Sequence, residues 1–398
     1  MNLDVCLVTG MYPTPDAPHG GIFIGDRVTA LRERGARVYP FALQVMDSWL
    51  LRTVRHVLRR PTSTPWTTPT TPAGPNGVSF DVVSIREGLL DKLLNRATGH
   101  RHQARRLGRA VRGAVGDKHI DVVHAHWAFT AGSAAGGLAQ SLDVPLVVTC
   151  HGSDINEMAR NPRFTGNVIC TLERADSVEF VSQALLESAR SLGFSSPRAR
   201  VVPNGIWAEE VTVPESTDEV IASSPRRILY VGSLRRIKGA DRLPALYDAV
   251  AAQLGEEIEL TIVGSGELAD RLREWGSGHR VTFTGFVGRS EVLEQMRASE
   301  VLVIPSRNEG WPTAVLEAHS QGLPVVAYDA GGTREAVGDD RLICSADAPI
   351  EELAGKIVAV LRGVIEIDRR TLARRAQDFT WTALADRTLA QYEEIAGD

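Results

Sequence analysis

Residues 301–322 read VLVIPSRNEGWPTAVLEAHSQG. The first four are apolar and mostly β-branched, a run that suits a strand buried on both faces. Pro312 suits the first turn of a helix, because its missing N–H would have no intrahelical partner there. The stretch therefore reads as strand, loop and helix, the helix opening near Trp311 to Thr313. Free backbone amides at that opening, together with the helix dipole, favour a negatively charged group such as a diphosphate.

The same alternation of short β-branched runs with longer amphipathic or Ala-rich stretches fills the chain, as in parallel sheets covered by helices on both faces. The fold class is α/β. Strands are expected over residues 3–9, 37–42, 79–84, 121–124, 146–150, 177–181 and 200–202, and then over 227–231, 259–263, 281–284, 301–304 and 324–328. Each series suffices for one doubly wound sheet. Residues 207–225, between them, are rich in Glu, Ser, Thr and Pro and lack periodicity, as an interdomain linker does. The expected organisation is a Rossmann-like domain over 1–206, a linker over 207–225, a second Rossmann-like domain over 226–378 and a C-terminal segment over 379–398. Two such domains facing across a cleft would bind ligands at the carboxyl ends of their strands.

At 43% hydrophobic and 23% charged residues, the 398-residue chain has ordinary globular composition and the length for two cores, which excludes a disordered or fibrous protein. Cys6, Cys150, Cys170 and Cys344 form no C-x-x-C pair and read as small buried hydrophobes in a reducing compartment. The first residues lack the cationic front and apolar core of a secretion signal. No window approaches the roughly 18 apolar residues of a membrane-spanning helix. The expected location is cytoplasmic, with peripheral contact to the inner face of the plasma membrane.

Charge is spread unevenly. Residues 1–200 hold 23 Lys and Arg against 17 Asp and Glu, while residues 201–398 hold 21 against 32, giving the net −5. Within the first half, WLLRTVRHVLRR at residues 49–60 places Leu50, Val54, Val57 and Leu58 on one helical face and Arg52, Arg55 and Arg59 opposite, with no acid. Such a helix either packs on its own domain or lies on anionic lipid headgroups. A second basic run, Arg101, Arg105, Arg106, Arg109 and Arg112, favours the lipid. A Pro/Thr-rich run over 61–75 should be extended or mobile. No interleaved aromatics accompany the arginines, which argues against nucleic acid as a partner.

Glu309 precedes the helix opening at Pro312 and Glu317 lies about one turn inside it, so two carboxylates flank the anion site. Carboxylates there suit the hydroxyls of a sugar and a ribose, because Glu accepts from vicinal hydroxyl groups. The E-x7-E spacing of Glu309 and Glu317, with Gly310, Trp311, Pro312 and Thr313 between them, resembles the E-G-(F/W)-P-x turn of the retaining glycosyltransferases of family 4. The likeness continues in order along nearly the whole chain. It includes His151-Gly152-Ser153-Asp154, the V-P-N-G-I run at 202–206 with Asn204, the G-x-L-x-x-x-K-G turn at 232–239, Gly264-Ser265-Gly266, and Gly331-Gly332 followed by Glu335. Phe379-Thr380-Trp381 and the helix after it resemble the segment that crosses back to the first domain in that family.

The resemblance implies a fold of glycosyltransferase type B, with the acceptor held by the first domain and a nucleoside-diphosphate sugar by the second. It implies transfer with retention to an acceptor hydroxyl, the acceptor being a lipid-linked or cell-envelope glycan precursor. Glu309 and His151 would then serve the reaction centre, and Glu317 the ribose. Lys238 would meet the donor diphosphate. The family often has an arginine after the first glycine of that turn where this chain has Ser233, so Arg235 or Arg236 would supply the guanidinium. Gly20 and Gly21 resemble the family's N-terminal glycine loop, which closes on the donor, although with the resemblance set aside a simple turn accounts for them nearly as well. His124 and His126 end a strand and read as cleft-wall residues rather than metal ligands, since no carboxylate completes a set.

No Asp-x-Asp occurs in the chain, so metal-independent catalysis without a cofactor is expected. A dinucleotide fingerprint, G-x-G-x-x-A at 264–269, lacks the acid that should end the next strand, since Gly285-Phe286 stands there, which argues against an oxidoreductase. Two alternatives share some of these features. A sugar-nucleotide 2-epimerase has the same fold without an acceptor, and a catalytically silent membrane-surface scaffold would use the basic segments alone.

Overall fold

The computed structural model describes residues 3–13, 20–48, 78–213 and 225–397. The basic segment 49–60 with Arg52, Arg55 and Arg59, the run 61–75 and most of the expected linker lie outside those residues. Contacts divide the chain into two units, Met1–Val202 with Trp381–Asp398, and Pro203–Thr380. The divide falls after residue 202 instead of 206, and after 380 instead of 378. The reason is local: Ile206 bridges in parallel to Thr380 and donates its N–H to the Phe379 carbonyl at 3.0 Å, which binds 203–206 to the second unit.

The first unit is built on seven strands, β1 (Asp4–Thr9), β2 (Arg37–Asp47), β3 (Asp81–Glu87), β4 (Val122–His126), β5 (Leu146–Cys150), β6 (Ser177–Phe180) and β7 (Ala199–Val201). Their order is β3-β2-β1-β4-β5-β6-β7 and every pairing is parallel. The second has six, β8 (Arg226–Val231), β9 (Ile258–Val263), β10 (Val281–Gly285), β11 (Val301–Ile304), β12 (Val325–Tyr328) and β13 (Ile343–Cys344), in the order β10-β9-β8-β11-β12-β13, again all parallel. Both are Rossmann-like sheets. β1, β4, β5, β11 and β12 are buried at every residue, as strands of a doubly covered sheet are, with Asp4, Thr9, His124, His126 and Thr149 the polar residues among them. Each such Val, Ile or Leu contributes about 1.5–3 kcal/mol on burial.

Several expectations shift. β2 runs to Asp47 rather than residue 42, and β3 covers 81–87 rather than 79–84, because the second half of β2 pairs with β3 from Leu43–Val83 to Asp47–Glu87. β13 is only two residues long, too short to leave a periodic signal, and exists through its pairing with Ala327 and Tyr328. Cys6, Cys150 and Cys344 are buried as expected, but Cys170 is exposed on the helix Pro162–Arg174.

Two buried ion pairs bind elements distant in sequence. Arg226 donates to Glu300 at 2.9 Å, tying the start of β8 to the residue before β11. Arg27, on the helix Ile22–Glu33, donates to Glu179 of β6 at 2.6 Å, to Thr149 of β5 at 3.1 Å and to Thr388 of the C-terminal helix Trp381–Ala396 at 3.0 Å. That last contact fixes the chain's end to the first sheet. Among the described residues no helix is long and apolar enough to cross a membrane.

Candidate functional site

In each sheet the strand order reverses at one place, between β1 and β4 and between β8 and β11. Connections leaving the two central strands diverge there, opening a crevice at the carboxyl ends. In the second unit the loop after β8 carries Lys238 and the loop after β11 carries Glu309. Neighbouring strands thus bring together two residues 71 positions apart.

The Lys238 ammonium lies 2.7 Å from Glu309 Oε2, and Ser306 donates to the other carboxylate oxygen at 2.8 Å. Glu309 is 7% exposed on its side chain and Lys238 35%. The carboxylate is therefore held on both oxygens, while the ammonium retains access to solvent. Lys238 closes a 3-10 turn (Arg236–Lys238), and Gly239 follows with φ +71. A Cβ at Gly239 would stand 1.9 Å from the Pro305 carbonyl oxygen, so only glycine lets the two loops touch backbone to backbone. Gly331, with φ +62, meets the Glu309 carbonyl in the same way, a Cβ there falling 2.0 Å from its oxygen. Three loops are thereby packed around Glu309.

The helix Thr313–Ser320 begins directly beyond, with Pro312 as N-cap, no capping side chain and no acid in its first turn. Its opening keeps the polarity that favours an anion. Trp311 is buried with its ring 5.6 Å from Phe379, and its indole N–H finds no acceptor among the described residues. Glu317 is half-buried on the same helix, 3.9 Å from the Arg289 guanidinium. Arg236 lies 3.9 Å from Asp241, whereas the exposed Arg235 has no ion pair among the described residues. Gly310 and Thr313 are half-buried within the turn, and Gly264 packs against Gly232 at the head of the Lys238 loop. Asn204 is buried on the stretch that enters this unit.

In the first unit, His151 follows β5. Its Nε2 is 2.8 Å from His126 Nδ1, and its ring lies among Phe23, Trp127 and His126, with centroids at 4.9, 4.6 and 5.1 Å. Burial pushes the His151 imidazole down to about 3, the nearby Arg27 charge acting in the same direction, so the ring is neutral near pH 7. Its Nδ1 has no hydrogen-bond partner among the described residues. Asp154 is buried and accepts from the backbone N–H groups of His151, Gly152 and Ala128 at 3.2, 3.0 and 3.1 Å. It organises the loop. Gly21 caps the helix Ile22–Glu33 with φ +68, next to Gly20.

Two family models match the chain: Glycosyltransferase Family 4 over residues 20–210 and Glycosyl transferases group 1 over 214–378. A D-inositol 3-phosphate glycosyltransferase of Kineococcus radiotolerans is 30% identical over 323 residues, covering 71% of this chain and 73% of its own. The chain belongs to glycosyltransferase family 4. This transferase is also 28% identical over 356 residues to TuaC of Bacillus subtilis, named for teichuronic acid biosynthesis, with 84% and 83% of the two chains covered. Its fold matches that of HepE from Anabaena in complex with UDP, at a TM-score of 0.69 and 16% identity over 98% of this chain and 100% of that one. The fold is that of the type B glycosyltransferases.

Sequence reasoning missed several residues of the transferase. Ser306 carries no motif signal of its own. Phe23 and Trp127 surround His151 but lie 128 and 24 positions before it, so no local pattern connects them. Trp127 has φ +70, an uncommon conformation for a side-chain-bearing residue, with its N–H donating to Thr149 and its carbonyl accepting from Gly132, both at 2.9 Å. The HAHW run could have flagged it. His124 and His126 are fully buried, not cleft-wall residues: His124 bonds Thr149 at 2.7 Å and the Tyr392 hydroxyl, and its ring stacks on His126 at 4.6 Å. Together they form the backing of His151. No group of three His, Cys, Asp or Glu suited to a metal occurs among the described residues.

Proposed function

We propose that this glycosyltransferase moves a sugar from a nucleoside-diphosphate donor to an acceptor hydroxyl, with retention and without a metal ion. The observation that carries this reading is the Lys238–Glu309 pair at 2.7 Å beside an uncapped helix opening. A half-exposed ammonium next to free amides suits a diphosphate, and a carboxylate held by Ser306 suits the hydroxyls of the attached sugar. When the diphosphate takes Lys238, Glu309 keeps its orientation through Ser306 and its backbone contact with Gly331. HepE, the fold relative, binds UDP and UDP-glucose, which supports a nucleotide-sugar donor.

In the proposed reaction the bond from the anomeric carbon to the phosphate oxygen breaks, and the acceptor oxygen bonds that carbon from the same face. The acceptor proton passes to the departing phosphate. Lys238, Arg235 and the amides at Thr313 and Ala314 balance the leaving charge, Glu309 stabilises positive charge on the sugar ring, and Glu317 holds the ribose. His151 offers its unpaired Nδ1 to a hydroxyl as a neutral ring. The absence of Asp-x-Asp in the sequence supports charge balance by these groups rather than by a divalent ion. The name of TuaC, given for teichuronic acid biosynthesis, supports a cell-envelope glycan precursor as the acceptor.

Thermal denaturation with UDP-, GDP- and ADP-sugars tests the donor, since a ligand at 100 times its Kd adds about 2.7 kcal/mol to the native state. Stabilisation by none of the three would remove the reading. Proton NMR of the product's anomeric signal tests retention, and of donor incubated alone tests for an epimer, which is not expected.

A further inference from the structure

The helix Leu89–Thr98 is folded inside out. Leu89, Leu90, Leu93 and Leu94 recur at the i, i+1, i+4, i+5 spacing of one helical face and are 66%, 69%, 54% and 37% exposed. The opposite face is polar and turned to the protein. Asp91 bonds Arg106 at 2.7 Å and His102 at 3.0 Å, Asn95 bonds the buried Glu87 at 2.8 Å, and Lys92 pairs with the buried Asp47. Each of those bonds would be lost if the helix turned about its axis to hide its leucines. The exposed stripe is therefore a fixed feature of the first unit.

Its surroundings are strongly basic. Residues 88–116 hold seven Lys and Arg against one carboxylate, Asp91, which is already engaged. Arg96, Arg101, Arg105, Arg109 and Arg112 are exposed. The stripe and these cations meet at Gly99, where the helix ends: Asn167 donates to the Gly99 carbonyl and accepts from Arg101 Nε at 2.6 Å. Asn167, Arg101, Arg105 and Arg174 line a cavity of about 400 Å³, and no carboxylate is among its lining residues. Guanidinium groups around a cavity of that size suit a phosphodiester.

We propose that this face docks on an anionic phospholipid bilayer, the four leucines entering the interface and the Arg101–Arg105–Arg174 cavity receiving a headgroup phosphate. A second copy of this chain is a poorer occupant, because two such faces would set seven cations against seven with no free carboxylate to offset them. A bilayer offers both things the face needs, hydrocarbon for the stripe and fixed negative charge for its border. This surface is distinct from the residues assigned to sugar transfer, so the proposal stands or falls separately from that function.

The test is co-sedimentation of the full chain with phosphatidylcholine vesicles, with and without phosphatidylglycerol, beside Leu90→Glu/Leu93→Glu and Arg101→Glu/Arg105→Glu. All these positions are exposed, and the thermal midpoint and nucleotide response of each variant check that it is folded. Expected is sedimentation that requires phosphatidylglycerol and weakens with added salt, and that falls by about tenfold or more in the leucine variant. The arginine variant should lose most of the preference for phosphatidylglycerol over pure phosphatidylcholine. The proposal is overturned if the wild-type chain stays in the supernatant with anionic vesicles, or if the leucine variant sediments as the wild type does. It is also overturned if light scattering shows a wild-type dimer that the leucine variant splits, since the stripe would then be a protein interface.

Discussion

Replacing Glu309 by Gln should separate two properties that most active-site mutations lose together. Gln keeps the size of the side chain and one oxygen to accept from Ser306, so the loop around Gly331 and Gly239 stays packed. What changes is the charge 2.7 Å from the Lys238 ammonium. Coulomb's law at an effective dielectric of about 20 gives the pair roughly 6 kcal/mol before desolvation. Lys238 is 35% exposed, so solvent and side-chain entropy reduce the net value to about 1 kcal/mol. A diphosphate must draw Lys238 away from Glu309 and forgo that energy, whereas in Glu309→Gln the ammonium is already available. UDP should therefore bind the variant as tightly as the wild type or up to about fivefold more tightly, by the same 1 kcal/mol. Transfer should fall by about 10²–10³, the cost of removing one group that stabilises developing charge. Isothermal titration with UDP and a coupled assay of nucleotide release give the two numbers. Turnover within a few-fold of wild type would refute a role for Glu309 at the sugar. Loss of UDP affinity together with turnover would show that the carboxylate serves the nucleotide instead.

Arg235→Ala should weaken UDP binding by about 10-fold or more, the worth of one charge-assisted hydrogen bond, with a smaller effect from Arg236→Ala because Arg236 is near Asp241; equal effects in titration would remove the assignment of Arg235 to the diphosphate. Arg27→Met leaves Glu179 buried without its cation and should cost about 3–5 kcal/mol in denaturant unfolding, much of it recovered in Arg27→Met/Glu179→Met; a single variant as stable as wild type contradicts this. Burial holds His151 and His319 at about 3 and His124 and His126 well below the ordinary imidazole value. Because these folded values lie below the unfolded one, the unfolded chain binds more protons between them. Stability should be full above about pH 6.5 and fall as pH drops toward 3, by up to about 1.4 kcal/mol per pH unit per histidine. Urea unfolding at pH 7, 6 and 5 with a flat midpoint would contradict it.

What the sequence alone determined follows from rules that act over a few residues. Alternating β-branched and amphipathic runs dictate parallel strands covered by helices, and such sheets place their sites at strand ends. Pro312 marks a helix opening because it has no N–H to satisfy. Those signals located the stretch around Glu309, and the ordered motifs that resemble family 4 singled out Lys238 and His151. Their partners were not legible, since pairing depends on strand order. Lys238 meets Glu309 because β8 lies beside β11, and the 70 residues between them carry no trace of that adjacency. The same holds for Arg27 with Glu179 and for the rings around His151. Tertiary structure also decided orientation: the periodicity of Leu89–Thr98 shows two unlike faces, but a helix pattern is unchanged by half a turn about its axis. Only the buried acceptors Asp47 and Glu87, waiting beneath it, turned the leucines outward.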